Sequence, residues 1–141
     1  MSQIISEEYG ALIDVIVEAS GQRAELLKAA GQPIPQRRLK ALIDPGSPGC
    51  YVDGAVIEYL QLPAMQRVLF SGITQGSERS WQYEASMLLV PDPPDQPIRV
   101  ERVLVLPLWR RQPFEALIGR DVLSRCVFTY DGKAGTFSIV S

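Results

Sequence analysis

Two short segments combine the residue types that acid–base chemistry needs. The first is Ala41-Leu42-Ile43-Asp44-Pro45-Gly46-Ser47, and the second is Ala116-Leu117-Ile118-Gly119-Arg120-Asp121-Val122-Leu123. Each is an apolar run that stops abruptly at a glycine-containing turn. A carboxylate at the end of a buried strand is costly unless hydrogen bonds replace the water it loses. A glycine two positions on lets backbone N–H groups approach that carboxylate closely. Asp44 and Gly46 therefore describe an acid held by main chain, although Asp-Pro-Gly taken alone reads as an ordinary turn signal.

Composition narrows the chemistry further. The chain has no histidine, which excludes Ser-His-Asp and Cys-His machinery, a histidine-ligated zinc or haem, and a histidine pH switch. Proton transfer is left to carboxylates, Lys, Tyr or Cys. Cys50 and Cys126 belong to no CxxC pair and read as two buried, reduced thiols; no metal and no cofactor is expected. Sixteen acidic residues against fourteen basic ones give a net charge of −2, so there is no electrostatic footprint for nucleic acid or an anionic membrane. The sequence lacks an apolar run of about 18 residues, and the acidic Ser6-Glu7-Glu8 does not read as a signal peptide. A cytoplasmic protein is the expectation.

The elements that must position these residues are mostly strands. A length of 141 residues suits a single domain over 1–141. Residues 10–19 read as a strand, and 22–30 as a helix stopped by Gly31 and Pro33, with the glycine suited to a left-handed C-cap. The helical region is expected to form an insertion over 22–37. Residues 38–43 read as a strand ending on Asp44, and Asp53 as the N-cap of a short helix through Leu60. A β-hairpin is expected over 67–90, with arms 67–74 and 80–90 and a tip at Gln75-Gly76-Ser77-Glu78. The Pro-rich stretch 91–97 is a loop and 98–106 a strand. Residues 115–118 form a short strand into Gly119 and a helical turn over 120–125, and a final hairpin turns at Asp131-Gly132-Lys133. Trp81 and Trp109 read as core residues, or as interface anchors if the chain is a plain dimerisation module. The fold class is mainly β with two or three short helices.

The two segments, their order and the hairpin between them resemble the retropepsin-type aspartic proteases and their bacterial single-domain relatives. The resemblance covers about residues 38–141 and extends to the Cys-Val-Phe-Thr-Tyr-Asp-Gly-Lys-Ala-Gly-Thr-Phe ending. It implies a closed, folded β-barrel-type acid protease fold and a homodimeric aspartic endopeptidase acting on polypeptide. Asp44 would be the catalytic residue of each subunit. Pro45, Gly46 and Ser47 would form its supporting loop, with the Gly46 N–H on the carboxylate and the Ser47 hydroxyl on its outer oxygen. Thr74, Gln75, Gly76 and Ser77 would cover the substrate as a flap, and Gly119, Arg120 and Asp121 would support the site and the dimer. Leu42, Ile43, Leu117 and Ile118 would pack beneath. The chain departs from the family at Pro45, where Thr or Ser is usual, and so lacks that residue's hydroxyl and N–H. At Pro48, retroviral members often carry an acid that pairs with the arginine of the second motif. Arg120 is then left to Asp121, Asp53, a backbone carbonyl or a bridge across the dimer. The departures keep a second reading open: a retropepsin-like module, weakly active or inactive, that binds peptides or dimerises without cutting.

Overall fold

Period-two alternation dominates the chain, and it closes into a barrel. The computed structural model describes residues 3–72, 76–109 and 113–141, the side chains at 70–72 and 76–78 excepted. These residues form ten strands and three helices: β1 (Gln3–Ile4), β2 (Leu12–Glu18), α1 (Gly21–Ala29), β3 (Gln36–Ile43), β4 (Cys50–Asp53), α2 (Gly54–Leu60), β5 (Ala64–Gly72), β6 (Gly76–Val90), β7 (Ile98–Leu108), β8 (Ala116–Ile118), α3 (Arg120–Leu123), β9 (Val127–Asp131) and β10 (Thr136–Val140). Seven strands lie in the order β2-β3-β8-β4-β7-β6-β5, and a further β2–β6 pairing closes six of them into a ring. Ile13, Val15 and Val17 of β2, Leu39, Ala41 and Ile43 of β3, and Ala85, Met87 and Leu89 of β6 fill its interior. Alternate positions face outward, as a pleated strand requires.

One strand breaks that alternation for a visible reason. In the β6–β7 ladder Ala85 faces Val103 while Met87 faces Val100, so β7 carries one extra residue there. The bulge turns both Glu101 and Arg102 outward between the buried Val100 and Val103, as a two-against-one register must. On the outside of β2, Asp14 lies opposite Lys40 and is paired with both Lys40 and Arg38. Partial burial pulls its carboxyl upward, but hydrogen bonds and charge from Lys40 and Arg38 win and hold it below the usual carboxylate value.

β5 and the outer half of β6 leave the ring together. β5 pairs with β6 from Ala64 opposite Tyr83 to Gly72 opposite Gly76, while Ser86 to Val90 of β6 pair with β2. The hairpin arms are thus longer than expected. Gly76 and Ser77 lie on strand β6 rather than in the turn, and Thr74 and Gln75 fall outside the described residues. The expected insertion over 22–37 shrinks to α1, since Gln36 and Arg37 already belong to β3. Gly31 adopts φ +69°; its N–H donates to the Lys28 carbonyl and that of Gln32 to Leu27, the expected left-handed stop. Asp53 caps α2 by accepting from the Ala55 N–H at 2.9 Å. Cys50 is buried, whereas Cys126 is only partly so. Trp81 and Trp109 are not core residues: they are 44% and 68% exposed, with the Trp109 ring laid over Gly54, where a Cβ would sit 2.2 Å from it. Among the described residues no helix is long and apolar enough to cross a membrane.

The chain ends meet in a separate three-stranded sheet, β1-β10-β9. Phe137 and Ile139 of β10 are fully buried against the barrel core, and Phe128 packs its ring 6.1 Å from that of Phe137. Removing the Phe137 ring empties the joint between sheet and barrel. Phe137→Ala should cost about 3–5 kcal/mol, read as a lower urea midpoint. Asp14 should add an acid-side signature. Because its folded pKa is lowered, its contribution is complete above the unfolded value of about 3.9. That contribution is lost as pH falls through the lower folded value. Asp14→Asn should flatten that part of the stability-versus-pH curve, measured by denaturation at a series of pH values.

Candidate active site

The site begins where two parallel strands end side by side. β3 and β8 pair in parallel, with Ala41, Leu42 and Ile43 opposite Ala116, Leu117 and Ile118. Asp44 extends that ladder by one bond, donating its N–H to the Ile118 carbonyl at 2.9 Å. The chain then turns over Asp44 to Ser47, closed by the Ser47 N–H on the Asp44 carbonyl at 3.1 Å. Pro45 stands at the second position of this turn, which its fixed φ suits. The Gly46 N–H donates to Oδ1 of Asp44 at 2.9 Å. The carboxylate is only partly buried, and Pro45 and Gly46 are exposed, so a ligand has access to it.

The second segment grips this turn from below. Arg120 donates its backbone N–H to the Ser47 carbonyl at 2.8 Å and its guanidinium Nη1 to the Pro45 carbonyl at 2.9 Å. Of the partners open to Arg120, the structure therefore selects a backbone carbonyl. Gly119 needs no unusual backbone angle, at φ −101°; space demands the glycine. A Cβ there would lie 2.1 Å from the Gly49 carbonyl oxygen and 2.8 Å from that of Ser47.

The buried Cys50 and the exposed Asp121 meet beneath the turn. Asp121 Oδ1 accepts from the Val122 N–H at 2.8 Å and from the Cys50 thiol at 3.1 Å, while the Gly119 N–H reaches Cys50 Sγ at 3.4 Å. Burial pushes the Cys50 thiol far above its ordinary range; the Asp121 charge adds to this and the Gly119 N–H opposes it. A thiol held protonated is a poor nucleophile, so Cys50 is part of the scaffold. Burial likewise raises Cys126, against the nearby Arg125 charge.

Most of the expected site residues come together here: Asp44, Pro45, Gly46, Ser47, Gly119, Arg120 and Asp121 share one hydrogen-bonded unit. One expected role is corrected. The Ser47 hydroxyl does not reach Asp44 but donates to the Gly49 carbonyl at 2.7 Å, because the nearly buried Ser47 turns toward the following bend. Among the described residues no group of three or more His, Cys, Asp or Glu could hold a metal ion.

A cleft of about 510 Å³ adjoins this unit. Pro48 and Gly49 form part of its wall, the β5–β6 hairpin and β7 supply others, and Asp121, Val122 and Arg125 line the α3 side. Sequence reasoning missed β4, Arg102 and Arg125. β4 is four residues beside a Pro/Gly turn, and Arg102 reaches its place through a bulge that no spacing announces. No family model matches the chain, and no curated protein matches it significantly.

The close approach at Gly119 gives a sharp contrast. Gly119→Ala should destabilise the fold by about 1–3 kcal/mol or more, since two backbones must separate. Gly49→Ala, where a Cβ meets nothing within 4 Å, should stay within about 0.5 kcal/mol of the parent. Thermal unfolding of the two variants side by side measures both.

Proposed function

We propose that this chain is one half of a homodimeric aspartic endopeptidase, with Asp44 of each subunit meeting its mate across a twofold axis. The observation that carries the reading is the Asp44 turn itself. A partly exposed carboxylate sits at the end of a core strand, accepts from the Gly46 N–H, and is tied through main chain to Ile118 and Arg120. The closed barrel beneath it and the protruding β5–β6 hairpin beside it are consistent with a groove for extended polypeptide. The chain supplies one such acid, so a complete site requires an isologous pair.

Two carboxylates in close contact cannot both ionise cheaply, and the pair retains one proton. The ionised partner takes a proton from a bound water, whose oxygen bonds to the scissile carbonyl carbon. The protonated partner gives its proton to the carbonyl oxygen as charge develops there. Collapse of the tetrahedral species breaks the C–N bond, and the departing amine takes up a proton from the dyad. This chemistry uses neither a histidine nor a thiolate, in keeping with a chain that has no histidine and a Cys50 held protonated.

Pro45 favours a second reading, a module that binds peptide or dimerises without cutting. It offers neither hydroxyl nor N–H to a neighbouring subunit, yet it lies exposed on the turn. A purified dimer should cut unfolded protein at mildly acid pH, yield to a statine-type inhibitor and ignore thiol alkylation. Asp44→Ala should lower kcat by about 10²–10⁴-fold or more. Equal and negligible cleavage by parent and Asp44→Ala dimers across pH 3–7 would exclude catalysis. Pro45→Thr should tighten the dimer in sedimentation and raise kcat/KM; no change in either would show that proline 45 is not what limits the site.

A further inference from the structure

The cleft beside the Asp44 turn carries charge as well as shape. Its floor is apolar, built by Val100, Val103 and Leu106, all buried, with Val122 of α3. At its rim Gln66 and Gln82 face each other across β5 and β6, with Nε2 of Gln66 donating to Oε1 of Gln82 at 2.6 Å. Arg102, Arg125 and Asp121 are its charged wall residues. Arg102 is already paired: its Nε donates to Glu84 at 2.5 Å. Asp121 Oδ1 is engaged by Val122 and Cys50. Although Asp121 and Arg125 stand four apart along the chain, a spacing that commonly gives an ion pair, none forms between them. Among the described residues the Arg125 guanidinium has no ion pair and no side-chain hydrogen bond.

We propose that this cleft is a subsite for a glutamate side chain of the bound polypeptide, with Arg125 as the ligand of its carboxylate. The proposal rests on the reading of the Asp44 turn as a polypeptide-binding site. A guanidinium presents a planar fork that matches a carboxylate bidentately. The two methylenes of glutamate lie on the apolar floor while its charge stays at the wet rim, and the Gln66–Gln82 amides remain within the same wall as further polar contacts. A lysine side chain would meet the same floor but face an unpaired cation. The site thus discriminates by charge at one end and tolerates apolar stems at the other.

The test uses short peptides in which glutamate, glutamine or lysine is walked through each position. They are offered to the parent dimer for cleavage and, separately, to the Asp44→Asn dimer for binding by fluorescence anisotropy. At one position glutamate should exceed glutamine about tenfold in kcat/KM or affinity, the scale of one charge-assisted hydrogen-bond pair. Arg125→Met should bring that ratio near one, and Arg125→Glu should shift the preference at that position to lysine. Selective binding without cleavage would uphold the subsite and defeat the protease reading. Cleavage with glutamate and glutamine equal at every position, or with a ratio unchanged in Arg125→Met, would overturn the subsite and leave the protease reading standing; equal binding without cleavage would overturn both. No binding to any peptide would overturn both.

Discussion

The structure depends on one close approach of backbones, where Gly119 lies against Ser47 and Gly49. Everything at the site follows from two loops being allowed to touch. The contact brings the Arg120 N–H onto the Ser47 carbonyl, points the Arg120 guanidinium at Pro45, and sets the Gly119 N–H over the Cys50 sulfur. Each of these bonds joins residues some 70 positions apart in sequence, so a distant part of the chain holds the Asp44 turn together with the turn's own local bonds. A side chain at 119 would push the loops apart and strain the Arg120 bonds to Ser47 and Pro45 together.

That support is made of main chain, which explains how the turn accommodates a proline. Pro45 removes one N–H, but the bonds that define the turn come from Asp44, Gly46, Ser47 and Arg120. The Pro45 carbonyl is still available and is the group that Arg120 uses. A proline at 45 therefore leaves the loop's own hydrogen bonds intact.

Much of this was legible in sequence, and the failures have particular causes. The apolar runs before Asp44 and Gly119, the cap at Asp53, the stop at Gly31 and the final hairpin all rest on local chemistry, which a sequence displays directly. The Asp44–Gly46 bond was expected because only neighbours take part in it. β4 was missed because a four-residue strand flanked by Gly49 and Gly54 has too little pattern to separate it from a turn. Ser47 was misassigned because a hydroxyl chooses between two nearby acceptors by fractions of an ångström. Trp81 and Trp109 read as core or as interface anchors because large aromatics suit either place; β6 carries Trp81 to an exposed position, and Trp109 lies just beyond the end of β7. Arg125 gave no signal as a cleft residue because nothing in its neighbouring sequence separates it from an ordinary surface arginine.

β6 is one strand with two mechanical regimes. From Ser86 to Val90 it is paired on both edges where it meets β2 and β7, and its inward side chains are locked in the core. From Gly76 to Gln82 it is paired on one edge only, with β5. The strand is thus a cantilever, clamped in the barrel wall and free beyond it, with Tyr83 to Ala85 as the line of support where β5 gives way to β2. Bending about that line tilts the whole hairpin, and with it Gln66 and Gln82 at the cleft rim, without breaking a bond of the barrel. The clamped barrel wall and the single-edged hairpin arm are therefore parts of the same stretch of chain.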